Sequence, residues 1–98
     1  MDIKKTREGE KLLLKVEGRI DTITAPTLFE VFQENVNGVT ELTIDLQDVD
    51  YVSSAGLRFF LSAQKTMNNQ GKMIIKNVDK NVMEVFELTG FNEILTIE

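Results

Sequence analysis

Ser53 and Ser54, in the run Tyr51-Val52-Ser53-Ser54-Ala55-Gly56-Leu57, are the residues of this chain best placed to do chemistry. The run lies between a strand-like segment, Leu42 to Leu46, and an amphipathic helix-like segment. Small residues at a strand-to-helix turn let the backbone bend tightly, and they leave the first helical N–H groups and the serine hydroxyls facing outward. A partner can reach such a hydroxyl. A helix N-terminus carries about half a positive charge, so the fold tolerates a phosphate ester there while gaining about −1.5 to −2 charges. The turn could therefore switch binding without unfolding the domain. Plain helix capping is the competing role for both serines, with Ser53 the better capping candidate, and close helix–sheet packing is the competing role for Gly56.

Other chemistries are poorly served. The chain has no Cys and no His, which excludes disulfides, Cys/His zinc sites, thiol nucleophiles, His general bases and phosphohistidine relays. A serine at a strand-to-helix turn invites comparison with hydrolase nucleophiles, yet Val52 and Gly56 flank Ser54 where Gly-x-Ser-x-Gly is required. No enzyme is expected. Asp45, Asp48 and Asp50 surround the end of the third strand, and without a confirmed inward arrangement they read as a hydrated acidic loop rather than a magnesium cluster, so no metal and no cofactor are assigned. Backbone N–H groups at the Ser-Ser turn could hold an anionic small molecule or a nucleotide phosphate, although the Lys-Ser/Thr phosphate-loop signature is missing. Asp21, taken alone, is a solvated loop carboxylate with turn chemistry.

Composition narrows the partners. The 98 residues, 42% hydrophobic and 28% charged, fit one domain over 1–98 with a single core. A net charge of −5 would repel a phosphate backbone, and no Lys/Arg cluster with interleaved aromatics offsets it, so nucleic acid is a poor partner. No run approaches the ~20 apolar residues of a membrane span, and the N-terminal residues lack the apolar stretch of a signal peptide. A cytoplasmic location is expected.

The elements that must position the serines follow from periodicity. Ile3 to Arg7 and Lys11 to Glu17 read as a hairpin around Glu8-Gly9-Glu10, with Leu12, Leu14 and Val16 on one face and Leu13 interrupting the polar one. Thr24-Ala25-Pro26 resembles a helix cap followed by proline, and Leu28, Val31, Phe32 and Val36 carry that helix to Asn37-Gly38. Leu42 to Leu46 forms the third strand. The next helix places Leu57, Phe60, Leu61, Ala63, Gln64 and Met67 on one face with Phe59 at its shoulder, and Gly71 ends it. Lys72 to Lys76 is the fourth strand, Lys80 to Leu88 the third helix, and Ile94 to Ile97 a short last strand. The fold class is α/β in the order β-β-α-β-α-β-α-β, a mixed, mostly parallel sheet with an N-terminal hairpin and helices packed on it. Loops beyond the carboxyl ends of parallel strands gather on one rim, which places Arg19 to Thr24 beside the Ser-Ser turn.

Two segments, Gly18-Arg19-Ile20-Asp21 running into Thr24-Ala25-Pro26, and Leu46 through Arg58, resemble STAS domains, and the likeness extends to Val85-Phe86-Glu87-Leu88-Thr89-Gly90-Phe91. Within that family the chain resembles the anti-sigma factor antagonists, or anti-anti-sigma factors, of bacterial transcription regulation. Their pattern runs Asp-Ser-Ser/Thr-Gly-Leu, and an anti-sigma factor that is itself a serine kinase phosphorylates the serine after the Asp. Anchored on Gly56-Leu57, that serine is Ser54. The chain departs from the pattern at Ser53, which stands where the family has Asp, and at Ala55, which stands at the second hydroxyl position.

The resemblance implies a phosphoprotein that docks Asp21, Thr22, Ser53, Ser54, Ala55 and Gly56 onto an anti-sigma factor serine kinase and frees a sigma factor. Phosphate on Ser54 would end the contact, and a serine phosphatase would restore it. The alternative within the family is a STAS scaffold or transporter-associated interaction module that works without phosphorylation.

Overall fold

The computed structural model describes residues 1–98. Strands β1 (Asp2–Glu8) and β2 (Lys11–Ile20) form the expected antiparallel hairpin, with Glu8 paired to Lys11 across a two-residue turn where Gly9 takes a φ of 59°. Helix α1 (Ala25–Asn35) crosses to β3 (Glu41–Val52), α2 (Ser54–Asn68) to β4 (Lys72–Lys76), and α3 (Lys80–Thr89) with the one-turn α4 (Phe91–Ile94) to the C-terminus. The sheet order is β1-β2-β3-β4, and β2, β3 and β4 are parallel. No helix is long and apolar enough to cross a membrane.

Side chains alternate along each strand, so register decides which residues meet the helices. Leu12 is paired with Leu42 and Leu14 with Ile44, and these continue to Met73 and Ile75 on β4. All are buried beneath Leu28, Phe32, Phe59, Phe60, Met67, Val82 and Phe86 of the helices. The other sheet face is charged. There Glu41 lies between Lys11 at 3.8 Å and Lys72 at 3.7 Å, and Lys15 pairs with Asp48 at 3.7 Å. Leu13 is 37% exposed on that face, between Thr6 and Thr43 in register.

Three elements differ from the pattern read in the sequence. Strands β2 and β3 run on to Ile20 and Val52, because irregularities at Lys15/Glu17 and Gly18/Arg19 re-phase the pairing and let it continue. On β3 the buried residues Leu46, Val49 and Val52 are three apart, a spacing that hides a strand from period-two reading. The closing strand, expected over Ile94 to Ile97, is reduced to one parallel bridge between Ile97 and Ile75. Ile94 belongs instead to α4, which starts after the left-handed Gly90. Phe59, placed at the shoulder of its helix, is 2% exposed and fully part of the core. It packs edge-on against Phe32 at 5.9 Å and Phe60 at 5.3 Å, and Phe60 meets Phe86 at 5.6 Å, so aromatic contacts tie α1, α2 and α3 together.

Gly56 fixes how closely α2 approaches the sheet. A methyl group on it would stand 2.8 Å from both Ile20 Cγ2 and Val52 Cγ1, and 3.2 Å from the Ile20 carbonyl oxygen. Gly56→Ala is therefore expected to destabilise the fold by about 1–3 kcal/mol through overpacking, lowering Tm by roughly 4–8 °C per kcal/mol. Differential scanning calorimetry checks this, and an unchanged Tm would mean that α2 can shift off β2 at no cost.

Candidate functional site

The carboxyl ends of β2 and β3 lie side by side. Arg19 is in register with Tyr51 and Ile20 with Val52, and the Ser53 N–H donates to the Ile20 carbonyl at 2.8 Å. This bond carries the ladder one step past the strands and stitches the two turns together. Ser53 is extended (φ −88°, ψ 177°) and is the N-cap of α2, its hydroxyl accepting a long, weak hydrogen bond of 3.4 Å from the Gly56 N–H. Ser54 follows as the first helical residue and is exposed. The two serines thus divide their roles, with the cap held by Ser53 and the Ser54 hydroxyl open to solvent.

Asp21 organises the neighbouring turn. Its Oδ1 accepts from the Thr24 N–H at 2.9 Å and the Ile23 N–H at 3.0 Å, while the Asp21 N–H donates to Thr24 Oγ1 at 2.9 Å. This reciprocal pair is a capping box set one turn earlier than the Thr24-Ala25-Pro26 signal suggests. Thr24 holds the N-cap position of α1 with Pro26 in the first turn, as expected, but it has helical backbone angles and its side chain makes no cap bond to the helix. Its hydroxyl has one proton and lies 2.6 Å from the Arg19 carbonyl but 3.1 Å from Asp21 Oδ1, so the shorter contact takes it. Arg19 Nε stands 3.8 Å from Asp21 Oδ2, and its guanidinium lies over the Tyr51 ring at 4.0 Å from the centroid.

Thr22 and Ala55 come together in a groove between α1 and α2, whose walls include Phe29 and Glu30 on one side and Arg58 on the other. Asp21, Thr22, Ser53, Ser54 and Ala55 therefore share one rim. Gly56 does not reach it. That residue is buried against Ile20 and Val52, so its inclusion among the contact residues is corrected to a positioning part. Ile23, 84% exposed at the tip of the β2–α1 turn, and the Arg19–Tyr51 stack are further features of the rim. The stack was hidden because it depends on the full length of β2 and β3. Ile23 carried a signal in its place beside Asp21 and Thr22. The acidic residues near the end of β3 are engaged elsewhere: Asp45 accepts from the Gln47 N–H at 2.9 Å and Asn77 Nδ2 at 3.1 Å, and Asp48 pairs with Lys15.

The Thr24 N–H bond is the largest influence on the Asp21 carboxyl, joined by the Ile23 N–H and the charge of Arg19. Together they outweigh desolvation and hold its pKa below the ordinary 3.8. A carboxyl whose folded-state pKa is depressed stabilises the fold above its unfolded pKa, and that stabilisation is lost as pH falls through the folded value. Asp21→Ala should accordingly cost most at neutral pH, with the gap from wild type narrowing once pH drops below about 3.9. Urea unfolding at a series of pH values checks it; a constant gap from pH 7 down to 2 would contradict the turn's electrostatics.

The chain matches the STAS domain family model over residues 2–98. It is 33% identical over 98 residues to the anti-sigma-B factor antagonist of Listeria monocytogenes serovar 1/2a, covering 96% of this chain and 84% of that protein. Its fold is similar to the crystal structure of an anti-sigma factor antagonist from Mycobacterium paratuberculosis, with a TM-score of 0.88 at 21% identity over 98% of this chain and 83% of the other. It is also similar to the Bacillus cell fate determinant SpoIIAA in its phosphorylated form, with a TM-score of 0.76 at 14% identity over 99% of this chain and 91% of the other. From the β2–β3 rim to the single bridge at the C-terminus, the chain belongs to the STAS domain family.

Proposed function

We propose that this protein is an anti-sigma factor antagonist, a binding protein rather than an enzyme, whose unmodified rim docks on an anti-sigma factor with serine kinase activity. Docking frees the sigma factor that the kinase held. Asp21, Thr22, Ser53, Ser54 and Ala55 form the contact surface, and Gly56 holds it in place. The observation that carries the reading is the division of labour at the α2 N-terminus: Ser53 takes the cap and Ser54 stands exposed beside the Asp21–Thr22 turn. The names of the similar proteins support the antagonist role.

Phosphorylation of Ser54 ends the interaction. The modified side chain brings about −1.5 to −2 charges into a surface that must be desolvated on docking. A penalty of ~3–4 kcal/mol changes affinity several-hundred-fold. No change of fold is needed, because the first turn of α2 accepts the anion. A serine phosphatase restores the active form, so this chain is a substrate in the cycle. One feature favours a second reading, a STAS scaffold or transporter-associated module without phosphorylation: Ser53 and Ala55 stand where the antagonist pattern has Asp and a hydroxyl residue.

Incubation with the cognate kinase and ATP, followed by mass spectrometry, is expected to place a single phosphate on Ser54. Ser54→Ala should bind the kinase as the unmodified protein does, and Ser54→Asp should bind at least tenfold more weakly. Phosphate absent from this chain but present on a control substrate would favour the scaffold. Ser53→Ala separates the serines: it should cost about 0.5–1 kcal/mol of stability through loss of a weak cap and leave Ser54 modifiable.

A further inference from the structure

Arg58 stands four residues after Ser54 on α2, a spacing that makes two residues neighbours on a helix surface. Both are exposed. Arg58 and Ala55, the residue next to Ser54, line the same α1–α2 groove. Arg58 is the sole cation among the residues that line that groove, and Glu30 of α1 is the sole anion.

The two arginines of this rim are differently engaged. Arg19 is stacked on Tyr51 and paired with Asp21. Arg58 takes part in none of the ion pairs of the molecule, which join Lys11 and Lys72 to Glu41, Lys15 to Asp48, and Arg19 to Asp21. The order along the helix is also the favourable one, because an anionic group four residues before a cationic group interacts better than the reverse.

We propose that Arg58 receives the phosphate of modified Ser54 in a charge-assisted, two-pronged hydrogen bond from its guanidinium to the phosphoryl oxygens. This deepens the switch proposed above and rests on Ser54 being the residue modified. Phosphorylation then changes the docking surface twice. It adds an anion at the rim, and it draws the only cation out of the groove, leaving Glu30 to face an incoming partner. Arg58 is in this sense a positioning residue for the phosphorylated state, and it keeps the ester fixed on α2 rather than free to reach a partner's own cations.

The test uses the full chain with phosphoserine installed at position 54 during translation, so that no kinase is needed, and follows the phosphate by ³¹P NMR as pH is varied. The other charged groups near the ester, Arg19, Asp21, Glu30 and Asp50, are common to all variants, as is the α2 N-terminus. Arg58→Gln is expected to raise the second phosphate pKa, ordinarily ~6, by about 0.2 unit or more, and Arg58→Lys to recover part of that shift. A smaller rise, or a shift downward, overturns the proposal. A kinase that leaves Ser54 untouched would sink the switch without moving this titration, so the two failures are distinguishable.

Discussion

The hydrogen bond from the Ser53 N–H to the Ile20 carbonyl, made possible by the missing side chain at Gly56, is the constraint on which the rim depends. It brings the ends of two parallel strands together just where each gives way to a turn. Once Ile20 and Val52 are held in register, α2 must start directly above them, and only glycine leaves room for its first turn. The capped turn at Asp21 then has a fixed neighbour. A buried glycine and one main-chain bond thus set the placement of the residues on the rim above them.

The rest of the fold supplies rigidity behind this junction. Strands β2, β3 and β4 bury Leu14, Ile44 and Ile75 in one line across the sheet, and the aromatic contacts from Phe32 through Phe59 and Phe60 to Phe86 lock the helices over it. Nothing in such an arrangement has to move for a hydroxyl at the start of α2 to gain or lose a phosphate. A rigid support suits a signal read as surface charge, because neither the backbone nor the core relaxes to absorb it. The charged face of the sheet is separate, its ion pairs being made within the molecule itself.

Much of this was legible in the sequence, and the exceptions have identifiable causes. The hairpin, the parallel crossovers and the placing of Ser53 and Ser54 between strand and helix followed from alternation, helical spacing and small residues at a turn. The ends of β2 and β3 did not, because bulges put Val49 and Val52 out of phase with Leu46. At the start of α1 the position of Thr24 before Ala25-Pro26 is legible, but the side chain that accepts the free N–H groups of the turn is Asp21, while the Thr24 hydroxyl turns back to the Arg19 carbonyl. Phe59 was set at the edge of its helix face because the core there is wider than one stripe, receiving rings from α1 as well. For Gly56 the packing role is legible as the alternative to a contact role, and its burial against Ile20 and Val52 decides between them.

One comparison reads both whether charge at the Ser54 hydroxyl governs docking and whether the fold stays unchanged. Two-dimensional ¹H–¹⁵N spectra of the protein with serine or phosphoserine at position 54 should differ only around residues 19–24 and 51–58, while the phosphorylated form loses its affinity for the anti-sigma kinase. Spectral change spread through the core, or undiminished affinity with the phosphate in place, would contradict the account.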